Sequence, residues 1–100
     1  MEENKNIDKK SLKFLNGKNT DWNELAKDCV CFANAQGGFI YIGIEDKTTL
    51  PPDKQKITDK NLPDIIQKNI AHRTVNVGIA VTIEIAANKA EYIQVQIFRN

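Results

Sequence analysis

The chain has 100 residues, 41% of them hydrophobic and 27% charged, with a net charge of only +1. That is the length of one globular domain with a single core, and the balanced charge does not by itself announce a polyanionic partner. No run of about 20 apolar residues and no leader pattern is present, so a soluble cytoplasmic setting is the expectation.

In chain order, residues 1–10 are polar and read as a flexible segment before a domain spanning 11–100. "SLKFLNG" (11–17) suggests a short first strand ending at the turn signal Asn16-Gly17. "NTDWNELAKDCVCFANAQGG" then carries the clearest helix. Asp21 and Glu24 have capping-box spacing, and Trp22, Leu25, Ala26, Cys29, Val30 and Ala33 fall on one apolar face. Gly37 suits a left-handed C′ residue, and Gly38 turns the chain into the next strand. Cys29 and Cys31 point about 200° apart on such a helix, so they cannot bridge each other. With His72 the only histidine, no metal-ligand spacing exists and no metal or cofactor is expected.

"FIYIGI" (39–44) is continuously apolar, as in an interior strand covered on both faces, and Gly43 within it marks a bulge or a close backbone approach. Glu45 and Asp46 follow as turn formers, or as an acid pair able to serve a metal. Residues 46–60 form a polar loop interrupted by Pro51 and Pro52. A second helix starts after an Asn61 N-cap, with Asp64 at N3 and Leu62, Ile65, Ile66 and Ile70 facing inward, and ends near His72. The tail places Ile79, Val81, Ile83 and Ile85 on one strand face and Ile93, Val95 and Ile97 on another, around an Asn88-Lys89 turn. The fold class expected is α+β: a small mixed sheet with two helices packed on it.

Gly37 and Gly38 close a helix and open a strand. A phosphate-cradling glycine pair has the opposite order, because helix N-termini supply the free N–H groups. The pair therefore reads as a helix stop, and no ATP-binding glycine motif occurs. Lysines are unevenly spread: Lys9, Lys10, Lys13 and Lys18 fall in a stretch free of acids, and Lys47, Lys54, Lys56 and Lys60 crowd the later loop.

"ELAKDCVCFANAQGGFIYIGIEDK", with its Phe-Ala-Asn-x-x-Gly-Gly and Gly-Ile-x-Asp, resembles the Schlafen/Alba-like DNA-binding domain, once described as a divergent AAA-type ATPase domain. Such domains head bacterial transcriptional regulators and RecG-related helicase-like proteins. The resemblance covers residues 11–100 by layout and 24–46 by motif, and it carries over Phe32, Ala33, Asn34, Gly37, Gly38, Gly43 and Asp46. It implies an α+β nucleic-acid-binding module, most simply a DNA-binding one without catalysis, with phosphate contacts from Lys9, Lys10, Lys13, Lys18, Lys47, Lys54 and Lys56. Phe14, Phe39 or Tyr41 are candidates to stack on a base, although core packing is the simpler role.

Two alternatives stay open: a metal-dependent nuclease centred on Asp46, and a protein-interaction or dimerisation module. The family's first strand usually bears Glu-Phe-Lys, preceded by a further Glu about five residues earlier. Here that triplet is matched to Lys13-Phe14-Leu15, with Asp8 upstream, which argues against cleavage. The chain closes on a strand, so a longer natural protein is expected, and a homo-oligomer through an open strand edge at 92–98.

Overall fold

In the computed structural model, which describes residues 6–15 and 17–100, the apolar stripe of the first long helix does what its spacing requires. Helix α1 (Trp22–Asn34) buries Leu25, Ala26, Cys29 and Ala33. Asp21 caps it, its carboxylate accepting the Glu24 N–H at 3.0 Å. The reciprocal half of the capping box is not made, because the Glu24 carboxylate turns to Lys10. At the other end the Gly37 N–H bonds the Phe32 carbonyl at 2.8 Å with Gly37 at φ +79°. A Cβ there would lie 2.7 Å from the Ile97 carbonyl oxygen, so only glycine both turns the chain and clears β4. Gly37 is the helix stop, one residue beyond the expected C′ position.

Strand β1 (Ile7–Lys10) pairs in parallel with β2 (Gly38–Ile42), which pairs antiparallel with β4 (Glu91–Ile97), itself antiparallel to β3 (Ile79–Ile85). The four strands lie in the order β1-β2-β4-β3, so β2 and β4 are interior and β1 and β3 are edges. Helix α2 (Leu62–Arg73) follows Asn61, which sits at the N-cap without a side-chain bond. Both helices share one face of the sheet. Their Leu25, Cys29, Ile66 and Ile70 interlock with Ile40, Ile42, Ile93, Val95 and Ile97, and Ile79, Val81 and Ile83 flank them. Each fully buried Ile or Leu contributes about 1.5–3 kcal/mol by leaving water. The fold is α+β, as expected.

Several local expectations are corrected. The first strand is Ile7–Lys10, inside the stretch expected to be flexible, and residues 11–15 and 17 are not in a strand. Leu12–Phe14 and Gly17–Asn19 are short 3₁₀ turns, with the Ser11 hydroxyl capping the first. Asn16 and residues 1–5 lie outside the described residues. Ile65 is exposed, not inward-facing. Strand β2 is interior but, among the described residues, covered on one face only: Ile40 and Ile42 are buried, while Phe39 and Tyr41 are half-buried on the opposite side. Finally, β4 is bonded along both edges, so residues 92–98 offer no free edge for self-association.

Candidate nucleic-acid interface

Strand alternation sends every second residue to the face that the helices leave uncovered. Register then builds rows across the sheet. Ile7, Phe39, Gln96 and Ala80 form one row, and Lys9, Tyr41, Gln94 and Thr82 the next. Tyr92 and Glu84 form a third. Phe39 and Tyr41 stack with ring centroids 5.9 Å apart and planes 14° apart, and Tyr41 meets Tyr92 edge-on at 5.7 Å. Burial, then the nearby Glu84 and Tyr41, raise the Tyr92 phenol above its ordinary pKa, so it stays a neutral hydrogen-bonding ring at physiological pH. At the glycine end, Phe39, Gln96, Phe98, Arg99 and the Gly37-Gly38 backbone line a cleft of about 400 Å³. Gly38 is as constrained as Gly37. A Cβ on it would meet the Asn6 carbonyl and lie 2.8 Å from Phe32 Cδ1.

The lysines are sorted by strand parity. Lys9 points to the uncovered face and its Nζ donates to the Thr48 carbonyl at 2.6 Å, which brings it to the loop that carries Asp46 and Lys47. Lys10 points to the helix side. There its Nζ lies 3.0 Å from Asp28, 3.2 Å from Glu24 and 3.3 Å from Asp8, and 4.9 Å above the Phe14 ring, with the side chain only 11% exposed. Burial opposes its charge, but the bonds to Asp28 and Glu24 and the field of Asp8 outweigh it and hold the ammonium above the ordinary lysine pKa. With three carboxylates around it, Lys10 has no charge to spare for a phosphate. Phe14 packs under that ammonium and against the core, not on the stacking face.

Lys13, Lys18, Lys47 and Lys54 are exposed and make no ion pair among the described residues. Lys56 and Lys60 share Glu91, which also accepts the Ile57 N–H at 2.8 Å. That N–H bond, working against burial and helped by Lys60, holds the Glu91 carboxyl below its usual range. Lys9 and Lys47 thus belong to one end of the sheet, and Lys56 sits by the β3–β4 turn, where its Nζ reaches the Lys89 carbonyl.

Phe32, Ala33, Asn34 and Gly43 of the motif make structural contacts. Ala33 is buried, Phe32 covers Gly38, and the Asn34 side chain accepts from Asn100 at 3.0 Å. Gly43, at φ +116°, donates to the Lys10 carbonyl, and its own carbonyl accepts the Gln55 amide at 2.9 Å. A Cβ on Gly43 would lie 2.7 Å from that amide, so the expected close approach is a loop staple. Asp46 is exposed and lines a small cleft with Asp8 and Lys9. Cys29 is buried and Cys31 exposed, and burial pushes the Cys29 thiol up to about 12.

The strand correction also moves the family triplet. The first strand holds Asp8-Lys9-Lys10, an acid and a lysine in the places of Glu-Phe-Lys, not Lys13-Phe14-Leu15. Glu3, five positions before Asp8, lies outside the described residues. The first strand therefore carries an acid, Asp8, although not a glutamate. Among the described residues, however, no three His, Cys, Asp or Glu side chains converge on a metal position, and Lys10 occupies the space beside Asp8. Nor is any described helix long and apolar enough to cross a membrane.

Tyr92, Gln94 and Gln96 were absent from the residues singled out by sequence. Their alternation with Ile93, Val95 and Ile97 was the available signal, since a strand covered on both faces would not place glutamines at every second position. The family model described as Schlafen, AlbA_2 matches residues 3–100. No curated protein matches the chain.

Proposed function

Because the chain belongs to the Schlafen, AlbA_2 family, a nucleic-acid-related one, we propose that it is a nucleic-acid-binding module of the DNA-binding type that heads bacterial regulators. The observation that carries this is the sorting of lysines: Lys9, Lys13, Lys18 and Lys47 have no carboxylate partner among the described residues, whereas Lys10 is enclosed by three. Exposed ammonium groups contact phosphates without reading sequence, and their binding releases counterions. The nuclease alternative finds less support. Asp8 supplies an acid on the first strand and shares a small cleft with Asp46, but its carboxylate is engaged by Lys10 at 3.3 Å and Lys9 lines the same cleft.

Binding of labelled duplex DNA between 50 and 200 mM salt tests this. Four phosphate contacts give a log–log slope of about −3.6, and each of Lys9→Ala, Lys13→Ala, Lys18→Ala and Lys47→Ala reduces its magnitude by about 0.9. Lys10→Ala leaves the slope unchanged. A slope near zero overturns the proposal. Cleavage of the same probe in Mg²⁺ or Mn²⁺, abolished by Asp46→Ala, replaces it with the nuclease.

A further inference from the structure

The lysines account for a charge-driven contact but leave the aromatic row without a role. Three rings, Phe39, Tyr41 and Tyr92, sit half-buried on the side of the sheet that none of the described elements covers, although an aromatic side chain gains most from full burial. Phe98 extends the row at the glycine end and is 47% exposed. Resting on the binding function proposed above, we infer that this face takes single-stranded nucleic acid: one unpaired base enters the cleft between Phe39 and Phe98, and the next lie over Tyr41 and Tyr92.

Four features of the face fit that occupant. Stacking is open to unpaired bases, whose π-faces are free, and closed to a duplex, whose bases already stack on one another. The cleft volume of about 400 Å³ falls within the range of pockets that enclose small molecules, which is the scale of a nucleoside. Gln94 and Gln96 sit beside the rings, and their amide groups can both donate to and accept from base edges. The charges are also ordered. Lys9 and Arg99 lie toward the β1 side and the glycine end, while Glu84 lies on edge strand β3. A phosphate backbone is drawn along the β1–β2 side and repelled from β3, which leaves the bases directed across β2 and β4.

The same side chains disfavour the competing occupant, a second sheet. Sheet-on-sheet packing would bury Lys9, Gln94, Gln96 and Glu84 together and leave their polar atoms to find partners away from water. Gly37 and Gly38 complete the cleft by presenting bare backbone, since neither position has room for a Cβ.

The experiment measures anisotropy of labelled 12-mers, oligo(dT), oligo(U) and a mixed-sequence duplex of the same length, against the full chain at one salt concentration. Phe39→Leu and Tyr41→Leu keep apolar volume but remove the π-face, and thermal unfolding of each variant checks the fold. Single strands bind at least about tenfold more tightly than the duplex, and each leucine variant weakens single-strand binding about tenfold without changing duplex binding, with Tm lowered by no more than the roughly 4–8 °C that the lost ring contacts are worth. Equal affinity for both forms, or leucine variants that bind single strands as the wild type does, overturns the inference. In that case a duplex affinity still lowered by Lys13→Ala and Lys47→Ala keeps the binding function itself. No binding to any of the three probes removes both. A concentration-dependent dimer lost in Tyr41→Leu assigns the face to a second copy and overturns the inference as well.

Discussion

On one face of the sheet, Ile93, Val95 and Ile97 of β4 lie buried beneath two helices; on the other, the intervening Tyr92, Gln94 and Gln96 are half-buried beneath none of the described elements. The contrast repeats in β1, where consecutive lysines have opposite surroundings. Lys10 is locked among Asp8, Glu24 and Asp28, while Lys9, among the described residues, has a carbonyl oxygen as its polar partner and no carboxylate. One peptide unit of displacement thus separates a structural cation from an available one. Counting lysines in a stretch of sequence measures neither kind, because strand parity assigns them.

The largest effect that tests this division is a pair of neighbouring truncations in β2. Ile40→Ala removes a fully buried side chain and costs about 3 kcal/mol, or a Tm drop on the order of 15 °C. Tyr41→Ala, on the open face, costs about 1 kcal/mol, mainly the ring contacts with Phe39 and Tyr92. Urea denaturation of both variants measures the difference, and equal losses would show that something covers both faces.

A smaller effect separates the two lysines. Lys10→Met leaves three carboxylates facing one another and costs about 1–2 kcal/mol at neutral pH, an amount moderated by their partial exposure. Lys9→Met stays within about 0.5 kcal/mol. The pH dependence has a definite sign. A lysine whose folded pKa is raised stabilises fully at neutral pH and loses that contribution only as pH climbs from the ordinary lysine value through the raised one. Wild type therefore weakens in strong alkali in a way that Lys10→Met does not. Stability curves of both proteins from neutral pH into strong alkali check it.

The smallest effect lies at the rim, where Glu91 ties the 46–60 loop to the start of β4. Its carboxyl is depressed, so its contribution is present above the ordinary carboxylate pKa and lost as pH falls through the lowered value. Glu91→Gln should be slightly less stable than wild type at pH 7 and indistinguishable from it in strong acid. A variant curve parallel to wild type throughout would remove Glu91 from the loop's support.

Much of the fold was legible because its signals are local. The Trp22–Asn34 stripe, the Asp21 cap, the glycine stop and the β3–β4 hairpin each follow from spacing within a dozen residues. Strand β1 was not legible. "IDKK" has a single apolar residue, and its strand state comes from the backbone of β2, far along the chain. "SLKF" alternates like a strand, but Leu12 and Phe14 pack against the core from 3₁₀ turns. The site was read less well than the fold. Hydrophobicity placed Phe39 and Tyr41 in the interior of the protein, and only the sheet order shows which side of the strand receives the helices. Lys13 and Lys18 remain exposed as expected, whereas Lys10 does not.

The position of β1 has a kinetic consequence. The β3–β4 hairpin closes over a five-residue turn, where Ala86 and Ala90 are bonded at 2.9 Å, so little chain entropy opposes it. β1 reaches β2 only after α1 has crossed between them, and as an edge strand it is held along one side alone. It is therefore the strand that docks late and detaches most cheaply, and its amide hydrogens exchange through local peeling long before the rest of the sheet opens. A ligand lying across Lys9 and Tyr41 bridges that strand to its neighbour β2, so occupancy of the open face would fasten the sheet at its weakest seam.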